Sequence, residues 1–302
     1  MTINCHRIDI HHHIAPPKYV EEMRALLQAP TLAWTPARSI DDMDQSGVAT
    51  AITSITTPGV WIGDHEQGRR VARDCNDYAA KMAADHPGRF GLFAALPLPN
   101  VEASLREIEY GLDVLKADGI ALFTSYRDKW LGDPAFEPVM AELNRRKAVV
   151  FTHPEAPLCC RGLIPGINEA VIEYATDTTR AIARLLFTGT AVRYPDIRWI
   201  FSHGGGTTPF LSERLVRAGR LKHLEAHVPN GVMAELQRFY YDVAQIAHPM
   251  ALASLTRMVP LSQILWGTDF PFRFGCEFFS ENDLCKIDRD NALALLPRWR
   301  AG

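Results

Sequence analysis

Arg7-Ile8-Asp9-Ile10-His11-His12-His13-Ile14, closed by Ala15-Pro16-Pro17, decides how the rest of the chain is read. As a strand it alternates, with Asp9, His11 and His13 on one face and Ile8, Ile10 and His12 on the other. Two imidazoles two residues apart on one face can grip one ion from adjacent directions. Three further stretches have a related form: Val149-Val150-Phe151-Thr152-His153-Pro154, Trp199-Ile200-Phe201-Ser202-His203-Gly204-Gly205-Gly206 and Ile264-Leu265-Trp266-Gly267-Thr268-Asp269-Phe270-Pro271. Each is an apolar run that ends in a ligand-type residue and breaks at Gly or Pro. One such ending carries little weight. Four describe a site.

Around these stretches the pattern is strand, helix, strand. After the first strand, 18–29 reads as a short helix, 31–38 as a loop and 39–44 as a capped helical turn. Strands follow at 48–57, 90–98, 119–125, 148–152, 197–202, 239–244 and 264–267. The segments between them carry helical spacing, at 64–85, 101–116, 134–146, 168–192, 207–225 and 249–258, with a last amphipathic helix at 290–296. Eight alternations without a linker or composition break predict parallel strands with crossover helices, closed as a single-domain (β/α)8 barrel over 1–302. A doubly wound open sheet is the alternative, but its Gly-rich phosphate fingerprint is missing. In a barrel, all strands end at one rim. His11, His13, His153, His203 and Asp269 therefore meet in one cup.

The composition bounds the function classes. The chain has 302 residues, 47% hydrophobic and 22% charged, with a net charge of −3, the profile of a well-cored globular protein without a broad basic face for nucleic acid. No apolar run reaches membrane-spanning length and no signal-peptide core opens the chain. The six cysteines (Cys5, Cys75, Cys159, Cys160, Cys276, Cys285) show no CxxC spacing, which indicates neither a zinc ribbon nor a disulfide framework and fits a cytoplasmic setting.

Mixed imidazole and carboxylate ligands suit zinc, manganese or iron. His11, His13, His153 and Asp269 are the ligand candidates. Asp9 shares their face but sits deeper, which suits a supporting role, and His12 faces the helices. His203 precedes three glycines, which let a substrate approach closely, and reads as an acid–base imidazole beside the metal. His223 and His227 stand at i, i+4, but no Glu directly follows the first His, so the HExxH pattern fails and a solvated helix face is the better account.

From DIHHHI through HPE, FSHGGGTTPF and WGTDFPF to DNALALLP, the chain resembles the amidohydrolase superfamily, in its branch of metal-dependent decarboxylases acting on ortho-hydroxybenzoates or aminocarboxymuconate semialdehyde. The resemblance implies one divalent metal, zinc first and manganese second, on His11, His13, His153 and Asp269, with His203 and Asp269 catalytic. It implies a homodimer in which Arg214 reaches the neighbouring subunit's site and holds a substrate carboxylate, with Phe272 as a pocket aromatic. A second carboxylate-binding arginine has no clear counterpart, Arg38 being a candidate, and this moves weight toward a benzoate-type acid. Strand four ends Ala121-Leu122-Phe123-Thr124-Ser125-Tyr126 without the lysine that bridges two metals in many superfamily hydrolases. The expected reaction is non-oxidative decarboxylation of a small aromatic acid. The same residues would serve a hydrolase of an amide or lactone, and a silent metal-binding scaffold is the remaining alternative.

Overall fold

The computed structural model describes residues 6–272 and 285–301. Eight strands follow one another around a single sheet: β1 Arg7–Ile14, β2 Val48–Ile55, β3 Phe90–Ala95, β4 Gly119–Phe123, β5 Val149–His153, β6 Arg198–Phe201, β7 Tyr240–Asp242 and β8 Ile264–Leu265. Every neighbouring pair is parallel. The ends close on each other: Ile10 N donates to the Trp266 carbonyl (3.1 Å), Asp269 N to that of His11 (2.8 Å) and His13 N to that of Phe270 (2.8 Å). The result is the expected (β/α)8 barrel.

Parallel strands covered on both faces are apolar on both, and two separate cores show it. Ile8, Ile10, Ile52, Phe93, Phe151, Ile200 and Leu265 fill the barrel. Its floor is closed by Ala292, Leu295 and Leu296, the first two on the tail helix Asn291–Leu295. Outward-facing residues such as Leu92, Ile120, Val150, Trp199 and Tyr241 pack in the second core, under the helices.

The helices depart from expectation where local chemistry breaks them. The segment at 18–29 is a helix at Pro17–Met23 and a separate turn at Ala29–Leu32. The turn at 39–44 belongs to a longer helix, Pro36–Ser46, whose N-cap Thr35 side chain accepts from Arg38 N. The stretch at 168–192 holds the helices Glu173–Phe187 and Thr190–Arg193, parted by Gly189 at φ 73°, where a left-handed residue ends a helix cheaply. The helix expected to reach 225 is Thr208–Gly219. His223 and His227 therefore share no regular helix face, and the His227 ring is bonded to the Phe187 carbonyl. Cys75, Cys159 and Cys160 are free thiols and Cys285 is disulfide-bonded; Cys5 and Cys276 lie outside the described residues.

One correction bears on the site. β1 does not alternate throughout: Asp9 pairs with Ala51 and His12 with Thr53, three steps against two. The extra residue is a β-bulge. Below it Ile8 and Ile10 point into the barrel; above it His11 and His13 do. Asp9 is thereby turned to the outer face with His12 and does not share the ligand face. The His12 ring stacks on Phe270 (4.5 Å) and meets Ser39 Oγ at 2.9 Å, as expected of a structural histidine.

Candidate metal centre and active site

His11, His13, His153, His203 and Asp269 converge at the C-terminal mouth of the barrel, and all five are buried. One ligand atom from each of His11, His153, His203 and Asp269 lies within 4.8 Å of the others. His13 belongs to the same cluster, its Nε2 3.0 Å from His11 Nε2. Both nitrogens stand 3.2 Å from Asp269 Oδ1. That oxygen is buried and accepts no hydrogen bond from the described residues.

The other ring nitrogens are occupied. His11 Nδ1 donates to Asp242 Oδ2 (2.8 Å) and His153 Nδ1 to the Pro154 carbonyl (2.8 Å), while His13 Nδ1 meets Ser54 Oγ at 3.1 Å. Because a carboxylate and a carbonyl only accept, Nδ1 of His11 and His153 carries a proton, and Nε2 is the atom each ring has left for an ion. Ring nitrogens and a carboxylate oxygen without a hydrogen-bond donor among the described residues, aimed at one spot, suit a cation. The donor set of imidazole and carboxylate fits a divalent ion of the zinc or manganese kind.

The electrostatics set His11 apart from the other two imidazoles. Burial disfavours charge on His11, but the carboxylates of Asp242 and Asp269 outweigh it and pull the imidazole up to about 10. Burial presses His13 down to about 4 and His153 well below its ordinary value. Burial alone would raise Asp269, yet the charge of His11 and the close ring nitrogens of His11, His13 and His203 hold it well below the usual carboxylate range. The cup thus holds an ionised Asp269 beside neutral His13 and His153, the protonation states that metal ligands need, while His11 carries a second proton that a bound ion would displace.

His203 stands just past β6, in the left-handed region at φ 53°. Its backbone N donates to Asp242 Oδ1 (2.8 Å), and its Nε2 lies 3.3 Å from Asp269 Oδ2. Gly267 lets the seam close, since a Cβ there would meet His11 Cβ at 2.9 Å and Asp242 Cβ at 3.1 Å. Phe272 follows the aspartate loop, its ring 6.4 Å from that of His13 and its N–H donating to the Asp269 carbonyl (2.7 Å).

Beside the cup opens a cavity of about 590 Å³, lined among others by Trp61, Phe123, Tyr126, Arg127, Glu155 and Tyr174. A smaller hollow that shares Phe123 and Tyr126 reaches His153, and the Tyr174 ring stands 5.9 Å from the His153 ring. Burial pushes the Glu155 carboxyl up to about 7. Two expected residues lie away from this space. Arg214 is exposed on the helix Thr208–Gly219, and Arg38 donates to the Ala33 carbonyl at the surface.

The sequence of the amidohydrolase family matches residues 8–297. This chain belongs to that family. Among the relatives of this amidohydrolase are the decarboxylase yanB of Aspergillus niger, 36% identical over 97% of this chain and 88% of that protein, and the 6-methylsalicylic acid decarboxylase of Penicillium expansum, 35% identical over 97% of each. Among solved structures, a dihydroxybenzoic acid decarboxylase from a Polaromonas species, with bound manganese and the inhibitor 2-nitroresorcinol, superposes with a TM-score of 0.81 at 22% identity, covering 97% of both chains. At that identity the likeness speaks for the fold alone.

Two residues of this amidohydrolase's cup escape a reading of the sequence. Asp242 ends β7 and holds both the His11 ring and the His203 backbone. The signal is present: Phe239-Tyr240-Tyr241-Asp242 is another apolar run ending in a ligand-type residue. Gln245 Nε2 donates to Asp269 Oδ2 (2.8 Å); a glutamine in a loop gives no such signal.

Proposed function

We propose that this chain is a metal-dependent carboxy-lyase that removes CO2, without oxidation, from a small ortho-hydroxybenzoate-like aromatic acid. The observation that carries the reading is the unpartnered, buried Asp269 Oδ1 facing the Nε2 atoms of His11 and His13, in a chain whose relatives at 35–36% identity are named decarboxylases. His11, His13, His153 and Asp269 hold the ion, zinc in first place and manganese in second. When bound, it supplies Lewis-acid chemistry for substrate oxygens.

The remaining work falls to the chain's own groups. The bond between ring carbon and carboxylate breaks, its electron pair stays on the ring carbon, and that carbon takes a proton. His203, with Nε2 3.3 Å from Asp269 Oδ2, is the group placed to hold and deliver that proton, with Asp269 as its partner. Phe272 flanks the cup, and the cavity lined by Trp61, Phe123 and Tyr174 offers aromatic faces for the ring. A hydrolase of an amide or lactone could use the same ligands; the names of the relatives favour the lyase.

Arg214 serves the site of a second copy. Phe210, 85% exposed, and Arg214 lie one turn apart on the open face of the same helix, which is the surface a homodimer would cover. Among the described residues no helix is long and apolar enough to cross a membrane.

Headspace CO2 from metal-reconstituted protein, offered 6-methylsalicylate and a panel of hydroxybenzoates, tests the lyase. Release that vanishes in His153→Ala supports it; a metal-loaded protein that releases none from any acid overturns it. For the dimer, mixed Arg214→Ala and His153→Ala chains should regain activity that neither has alone, and mixtures that stay inactive would remove Arg214 from the site.

A further inference from the structure

Gln245 stands three residues beyond β7, exposed at the mouth of the barrel and in the left-handed region at φ 60°. Residues with a branched or long side chain seldom adopt that conformation, and where they do the surroundings enforce it. Among the described residues, His203 and Asp269 share this conformation at the strand ends, as does Arg127 in the loop that lines the neighbouring cavity. Water could satisfy the amide of an exposed glutamine, yet Gln245 Nε2 donates inward, to Asp269 Oδ2 (2.8 Å) and to the Phe272 carbonyl (2.9 Å).

We propose that Gln245 is a positioning residue for the metal centre. By holding Oδ2 it keeps Oδ1 turned toward His11 and His13, and it ties the loop carrying Asp269 and Phe272 to the rim of β7. An amide suits this task because it donates without adding a charge: a cation there would compete with the metal for Asp269, and a carboxylate would repel it. The inference rests on the reading of Asp269 as a ligand. It goes further in assigning a non-ligand residue the choice of which carboxylate oxygen faces the ion.

Two variants separate this role from a structural one. Gln245→Gly removes the amide and also relieves the left-handed backbone; a purely structural contribution would show in the melting temperature and leave metal binding untouched. Gln245→Glu keeps the size and replaces the donor with an acceptor. Each is loaded with cobalt(II), and the dissociation constant is measured by chelator competition alongside the visible ligand-field spectrum. Expected are a 10- to 100-fold weaker affinity in both variants, a changed spectrum, and a kcat loss of similar size with KM within twofold. Wild-type affinity and spectrum in both variants would overturn the inference while leaving Asp269 a ligand. Unchanged cobalt binding in Asp269→Ala would instead overturn the ligand assignment, and the inference with it.

Discussion

Asp9 and Asp269 sit on either side of the seam where the barrel closes, both buried and both ionised against the pull of burial, yet they are built for opposite ends. Asp9 Oδ1 accepts from the backbone N–H of His11 (3.0 Å) and Thr268 (3.0 Å); Oδ2 accepts from His12 Nδ1 (3.1 Å) and the Thr268 hydroxyl (2.6 Å). Every lone pair in reach has a donor. Asp269 Oδ2 is held by Gln245, while Oδ1 has no hydrogen-bond donor among the described residues. A buried carboxylate saturated with donors locks structure, and one left half open is kept for something the chain does not supply. A single inserted residue in β1 creates the distinction, since without the bulge Asp9 would face the same side as His11 and His13.

The sharpest way to break this comparison is to remove each carboxylate in turn. Asp269→Ala should lose the metal and cut CO2 release by about a thousandfold or more, equivalent to several kcal/mol of transition-state stabilisation, while melting close to the metal-free wild type. Asp9→Ala should do the reverse. It strands the donors of His11, Thr268 and His12 in the core, at a cost of roughly 3 kcal/mol by urea unfolding, and the fraction that folds should still bind metal. If Asp9→Ala lost the metal at unchanged stability, the two roles would have been exchanged.

Asp242 sharpens the contrast at smaller scale. It is saturated like Asp9, by His11 Nδ1, the His203 N–H and the Ala244 N–H (3.0 Å), but one of its donors is a ligand ring. Asp242→Asn keeps the shape and weakens the hold on the His11 proton. A 10- to 100-fold loss of metal affinity is expected, read by chelator competition; an unchanged constant would reduce Asp242 to a purely structural part.

What the sequence makes legible follows from the physics of each signal. Strand and helix periods survive in any barrel because both faces of the sheet are buried, so the architecture and the endings at His153, His203 and Asp269 can be read from pattern alone. The bulge cannot, because it depends on how β1 is paired to β2 rather than on β1 itself. The stretch 168–192 reads as one helix because periodicity does not register a left-handed Gly189. Asp242 obeys the rule that finds the other endings, but no histidine marks it. Gln245 is legible only as geometry. Arg214 is exposed on its helix, and the role expected of it needs a second copy of the chain.

Glu155 completes the series as a carboxyl with neither donors nor a ligand ring among the described residues. It lines the cavity with its side chain 20% exposed and Arg161 Nη2 3.9 Å away. Burial pushes it from 4.5 up to about 7, with Arg161 working against burial. The folded chain therefore binds this proton more tightly than the unfolded chain. The stability it lends is complete below pH 4.5 and is lost as the pH rises through 7. Each tenfold gain in proton affinity is worth about 1.4 kcal/mol, and partial exposure trims the whole effect to roughly 1–2 kcal/mol. Asp9 runs the other way: burial would raise it, but hydrogen bonds from His12 and Thr268 outweigh burial and hold it below 3.8, so its contribution is present above that pH and lost in acid. Glu155→Gln, unfolded in urea with a chelator present to keep metal out, should gain on the wild type by that roughly 1–2 kcal/mol between pH 4.5 and 8. Parallel pH curves for the two proteins would mean that solvent already reaches the carboxyl, and that the cavity is wetter around Glu155 than its lining implies.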